Sequence, residues 1–187
     1  QNKPPNIEEI KQIAKNQNST LVQYSIITDE FKVKDKQQTK QSELYIWVIK
    51  PTGEITFRKA DLKPLWHKEN TFLPELVTTS RQSIGARGTS FRATIEVHRS
   101  NSAQASNKLK RLHKLLIDPI ADLLPKNPSD RVTFIPQSSL FLAPFPALQD
   151  ANGKYLIQKH TFLTTPSIKV LDLTRDQKQR IKQQIGH

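Results

Sequence analysis

A chain of 187 residues carrying 29 Lys and Arg against 17 Asp and Glu, a net charge of +12, is long enough to bury one hydrophobic core and has the length of about one domain. A hydrophobic content of 35% and a mean hydropathy of −0.59 keep that core modest and leave much of the chain as loop or solvated surface. The sequence has no cysteine, which excludes disulfides, thiolate metal sites and a thiol nucleophile within these residues.

Residues 1–5 read as a linker. Pro4-Pro5-Asn6 precedes Ile7, Ile10 and Ile13, a spacing that predicts a short helix over residues 6–16 with Asn6 as its cap. Leu21 to Ile27 is β-branched and aromatic and predicts a strand, which runs into the polar stretch 28–41, expected to be a mobile loop. Leu44 to Ile49 alternates, Pro51-Thr52-Gly53 is a turn signal, and Glu54 to Arg58 is a second strand. Together they predict an antiparallel hairpin.

Phe72, Leu73, Leu76, Val77 and Ile84 suit a helix that starts near Asn70 and stops at Gly85. The window 85–106 holds Gly85, Gly88, four serines and three arginines and is expected to be a second mobile loop. A second long helix follows, with Leu109, Leu112, Leu115, Leu116, Ile120, Leu123 and Leu124 on one stripe. It must bend or restart at Pro119, whose ring cannot donate to the residue 115 carbonyl.

Val132-Thr133-Phe134-Ile135 is an apolar run without clear alternation, set between Asp130-Arg131 and Pro136. That is the pattern of a parallel strand covered on both faces, so a central position is expected. Then come the Pro144-Phe145-Pro146 corner, a turn at Ala151-Asn152-Gly153, a strand from His160 to Thr164 and a helical tail from about Ser167. An antiparallel hairpin followed by alternating helix and strand predicts an α/β sandwich.

The chain lacks a Gly-rich phosphate loop, HExxH, an EF-hand run and a Gly-x-Ser-x-Gly elbow, so no reaction class offers itself by motif. His67, His98, His113, His160 and His187 show no ligand spacing, and no metal site is expected. His160, in a predicted strand beside Lys159, is a candidate general base, but without an assignable nucleophile it reads better as a strand-edge residue. Asn18-Ser19-Thr20 fits a glycosylation acceptor, a pattern discounted for want of a signal peptide. Residues 1–20 have no apolar core, and no run approaches the roughly 18 apolar residues of a membrane helix. No membrane association and a cytoplasmic location are therefore expected. No catalytic, cofactor-binding or metal-ligating residue is assigned, and no cofactor is implied.

The stretch Asp130-Arg131-Val132-Thr133-Phe134-Ile135-Pro136-Gln137-Ser138-Ser139-Leu140-Phe141-Leu142-Ala143-Pro144-Phe145-Pro146-Ala147-Leu148 strongly resembles the CHAT domain, the caspase-like domain associated with tetratricopeptide repeats. Ser138 stands where that family usually has a glycine. Leu115-Ile117-Pro119-Ile120 and Leu123-Leu124 resemble the preceding helix of the family, while Tyr155-Leu156-Ile157, Thr165-Pro166-Ser167 and Leu171 resemble its next segment. Thr20 to Leu62 resembles the opening strand and hairpin.

The resemblance implies the leading part of a caspase-like three-layer sandwich over residues 6–175, with 176–187 as a tail. It places the family's catalytic histidine and cysteine further on, in a His-Gly segment and a Ser-Ala-Cys-like segment that this chain does not contain. It therefore implies a non-catalytic scaffold portion of a cysteine-peptidase-like domain. The parent would be a bacterial, cyanobacterial protein that meets protein partners through tetratricopeptide repeats outside this chain. The absence of any methionine also suits a fragment of a longer protein.

A rival reading starts from charge: a basic interaction module binding nucleic acid or acidic protein partners through Lys108, Lys110, Arg111 and Lys114 and through Arg87, Arg92 and Arg99. The excess is diffuse, +5 over residues 1–100 and +7 over residues 101–187. The helical cluster has the spacing of a solvated polar face, so nucleic acid is not the expected partner.

Overall fold

The computed structural model describes residues 6–85, 102–165 and 179–185. Helix α1 (Ile7–Gln17) begins where expected: the Asn6 side chain accepts the Glu9 N–H at 2.8 Å, satisfying a donor that the first turn leaves unpaired. It ends at Asn18, which takes up a left-handed conformation (φ 47°), a C-terminal position that asparagine tolerates.

The polar stretch 28–41 is not a loop. Strand β1 runs from Ser19 to Val33 and β2 from Lys36 to Ile49, paired antiparallel down to Val33 and Lys36. Lys34 and Asp35 alone make the turn, both with positive φ (50° and 62°), as the tight turn matching strand twist requires. Beyond residue 28 this ribbon leaves the rest of the sheet and most of its side chains face water, so no apolar alternation marks it. Aromatic contacts hold its base. The Phe31 ring lies 5.2 Å from that of Trp66, the Trp66 indole donates to the Gln41 carbonyl at 2.8 Å, and the Lys40 ammonium sits 4.8 Å from the Phe72 ring centroid.

The expected hairpin is present as β2 and β3 (Ile55–Asp61). A short helix α2 (Lys63–His67), with a proline in its first turn, intervenes before α3 (Leu73–Gly85). Helix α3 thus starts later than the vicinity of Asn70, which instead takes a positive φ of 52° in the turn between the two helices. Its end at Gly85 agrees with expectation. Helix α4 (Ser102–Leu116) starts inside the window read as a loop. The small and unbranched residues Ser102 to Ser106 continue a helix nucleated by the leucine stripe that follows. Residues 86–101, which make up the rest of that window, lie outside the described residues.

Pro119 acts as predicted: α4 stops at Leu116 and a 3-10 turn (Asp118–Leu123) replaces it. Strand β4 (Arg131–Ile135) and strand β5 (Thr161–Thr164) complete a five-stranded sheet of order β3-β2-β1-β4-β5. Strand β4 is parallel to both its neighbours, β1 and β5, so its central position is confirmed. The helical tail predicted from Ser167 falls largely on undescribed residues; 179–185 are helical and exposed.

Alternate residues divide the sheet into two covered faces. Val22, Tyr24, Leu44, Ile46, Val48, Val132 and Phe134 point into the larger core, with Leu65 of α2, Leu73, Leu76 and Val77 of α3, and Leu109, Leu112, Leu115 and Leu116 of α4. Leu21, Ile49 and Ile135 point to the opposite face, where Ala14, Ile10 and Ile13 of α1 cover them. Helices on both faces of a mixed sheet make a three-layer α/β sandwich, the expected class.

Candidate functional site

In open α/β sheets, ligands meet the chain beyond the carboxyl ends of the parallel strands. Here that end of β4 is a proline-bounded corner. Pro136 is buried and has no N–H, so the ladder cannot continue. Gln137 turns outward, its side-chain oxygen accepting the Ser25 hydroxyl at 3.2 Å. A 3-10 turn (Ser138–Leu142) follows. Leu140 is buried in the larger core, whereas Phe141 and Leu142 are 43% and 49% exposed, and the Arg81 guanidinium of α3 donates to the Leu142 carbonyl at 3.2 Å. A second 3-10 turn (Phe145–Ala147) returns the chain to the core, where Phe145 stacks on Phe134 with ring centroids 4.6 Å apart. The corner that carries the sequence resemblance is therefore a packing device with an apolar outer rim, and Pro144 and Pro146 set its shape.

Polar chemistry gathers beside the start of β5. His113, near the end of α4, is 5% exposed, and its Nδ1 lies 2.7 Å from a carboxylate oxygen of Asp118. An ionised carboxylate only accepts, so Nδ1 carries the proton and Nε2 is left as the basic nitrogen. The Asp150 carboxylate binds the Lys159 ammonium and accepts the backbone N–H groups of Asn152 and Lys154 at 2.9 Å. These contacts, the Lys159 hydrogen bond first, pull its pKa down to about 2. His160 immediately precedes β5, and its Nδ1 is buried with no hydrogen-bond partner among the described residues. Burial lowers the pKa of both histidines. The positive charge of Lys159 depresses both further, while Asp118 works the other way on His113.

Such an arrangement could orient a general base, but His113 is enclosed and no hydroxyl donates to its Nε2 among the described hydrogen bonds, so it stands as a structural base. His160, expected inside the last strand, lies instead one residue before β5, which begins at Thr161. The burial of His113 was readable, since it falls on the stripe of Leu109, Leu112 and Leu116 at helical spacing. Its neighbours Lys159 and His160 arrive through tertiary structure and left no local signal. His67 lies exposed at the end of α2 against Trp66; His98 and His187 lie outside the described residues. Among the described residues, no three His, Cys, Asp or Glu are grouped to hold a metal ion.

The basic residues of α4 separate. Arg111 grips Glu69 with two hydrogen bonds of 2.9 and 2.7 Å, so its fork is already occupied. Lys114 is exposed, and Lys108 and Lys110 are half-buried. Arg87, Arg92 and Arg99 lie outside the described residues. No helix among the described residues is long and apolar enough to cross a membrane.

Comparison with known proteins finds one family: the profile described as the CHAT domain matches residues 106–186, from α4 through β4 and β5. The match contains the corner at residues 136–148. No curated protein matches the chain.

Proposed function

From residues 106–186 being CHAT-domain sequence, we propose that this chain is the leading, non-catalytic scaffold of a caspase-like CHAT domain, positioning a thiol nucleophile and base that other segments supply. The observation that carries the reading is the match across β4, the corner and β5 in a chain without cysteine. Covalent peptide cleavage in a cysteine-peptidase-like fold needs a thiolate, a base within hydrogen-bond reach and donors for the oxyanion. This chain supplies the central strand and the packed corner beside the carboxyl ends of the sheet. In this reading residues 6–175 form the domain's first part. The parent is a bacterial, cyanobacterial protein of the cytoplasm, and tetratricopeptide repeats elsewhere in it contact protein partners.

The test is reconstitution. The chain alone, offered a peptide library and a thiol-directed electrophile, is expected to hydrolyse nothing and take no label. The same chain joined to the segment that follows it in its gene, with a cysteine and a histidine, is expected to label at that cysteine. Activity of the isolated chain that copurifies with it and disappears on His160→Gln or on a single serine substitution overturns the proposal.

A further inference from the structure

The polar cluster beside the start of β5 follows the corner in the chain, with the Leu156 N–H donating to the Leu148 carbonyl at 2.8 Å, and is not used by the reading above. Five ionisable groups meet there from two parts of the chain. His113 and Asp118 come from the end of α4 and the 3-10 turn after it, and Asp150, Lys159 and His160 from the loop 149–160. That loop is built as a small clasp. Gln149 bridges to Tyr155 across a turn at Gly153 (φ 80°), its side chain accepts the Ser106 hydroxyl of α4 at 2.8 Å, and Leu156 is buried in the larger core. The clasp leads directly into β5, a strand of four residues that among the described residues pairs with β4 alone.

With both histidines neutral, the ionised Lys159, Asp150 and Asp118 leave the cluster at one net negative charge. With both protonated it carries one net positive charge, with two new cations beside Lys159. Among the described residues neither histidine gains a fresh partner: Asp118, which already favours the protonated form of His113, is bonded to it, and Asp150 is taken up by Lys159 and two backbone N–H groups. His160 Nδ1 would add a second N–H donor in a buried place where no described residue offers it an acceptor.

We propose that the loop 149–160 is an acid-released latch, which clasps strand β5 to the sheet while His113 and His160 are neutral and loosens it when they take up protons. The direction follows from their environment. Burial holds each below the usual histidine value of 6.5, with Asp118 and Asp150 opposing it at His113 without reversing it and Lys159 adding to it at both, so the folded clasp prefers the neutral form. Its stabilisation is intact above that value and is lost as pH falls through the folded values.

Hydrogen exchange of the chain at pH 7.5 and pH 5.5, corrected for the intrinsic pH dependence of exchange, tests this. Residues 149–164 are expected to lose protection by at least about tenfold at the lower pH, while β1 and β2 keep theirs. His113→Gln with His160→Gln is expected to abolish the difference. If that double variant does not fold, His160→Gln alone should reduce the loss of protection between the two pH values. Protection of 149–164 that is equal at the two pH values, or a loss that is undiminished in His160→Gln, overturns the latch.

Discussion

The ring of Phe134, at the centre of the parallel part of the sheet, stacks on that of Phe145 at 4.6 Å with the planes 20° apart. Tyr24 and Phe162 close the group, their ring centroids 6.5 and 5.3 Å from Phe134. The corner is thus tied to the strand it leaves. Phe134→Ala removes a fully buried ring and is expected to cost about 3–5 kcal/mol, against the roughly 5–15 kcal/mol of a whole domain. Phe141→Ala, on the exposed rim of the same corner, is expected to change stability by no more than about 0.5 kcal/mol. Urea denaturation of the two variants against the parent checks the contrast. Equal midpoints for parent and Phe134→Ala would mean that the strand is not central.

Tyr24 fills the core beside that stack, and its hydroxyl donates to the Leu116 carbonyl at 2.6 Å, at the last residue of α4. Tyr24→Phe keeps the ring and leaves a buried carbonyl short of a donor, so a loss of about 1–3 kcal/mol is expected. Burial also pushes the phenol well above its usual value of 10.0. A raised folded value means that this contribution is complete below about pH 10 and is lost as the unfolded tyrosine ionises at higher pH. Denaturation midpoints from pH 8 to pH 11 should fall more steeply for the parent than for Tyr24→Phe.

Arg111 and Glu69 join α4 to the turn between α2 and α3 through a two-pronged pair. Both side chains are partly exposed, so screening limits the pair to about 0.5–1 kcal/mol. Arg111→Lys loses the fork and should forfeit most of that. A double-mutant cycle with Glu69→Gln at low and high salt measures the coupling, which is expected to shrink as salt is raised.

The parts of this fold that were legible in the sequence are those where one face of an element meets the core. Val132 to Ile135 declared itself by an uninterrupted apolar run between hard boundaries, the leucines of α4 by helical spacing, and the restart at Pro119 by a missing N–H. The corner was visible at Pro144-Phe145-Pro146 from its prolines, and its full extent over residues 136–148 through its likeness to a known family. What escaped had no buried face to betray it, or too little length. The ribbon at residues 28–41 faces water on most sides, α2 is five residues long, and Ser102 to Ser106 resembles a loop in composition while continuing a helix. The polar cluster was half legible, because His113 shares the leucine stripe, whereas its meeting with Lys159 and His160 depends on how the chain returns to form β5.

The ribbon offers the sharpest check on a segment that sequence reasoning took for a loop. Lys34 and Asp35 both sit in the left-handed region, where a side chain with a Cβ is strained by about 1 kcal/mol or more, asparagine and glycine much less. Val33 and Lys36 pair directly across them, so the turn has no spare residue with which to relieve that strain. Lys34→Asn with Asp35→Gly supplies the pair that this turn prefers and should stabilise the protein by about 0.5–1 kcal/mol, even though glycine gives up some entropy on folding. In a flexible loop the same change would loosen the chain and lower stability slightly. The denaturation midpoint of the double variant therefore separates the two structures by its sign: a rise supports a continuous ribbon to residue 33, and a fall places the end of the pairing closer to Ile27.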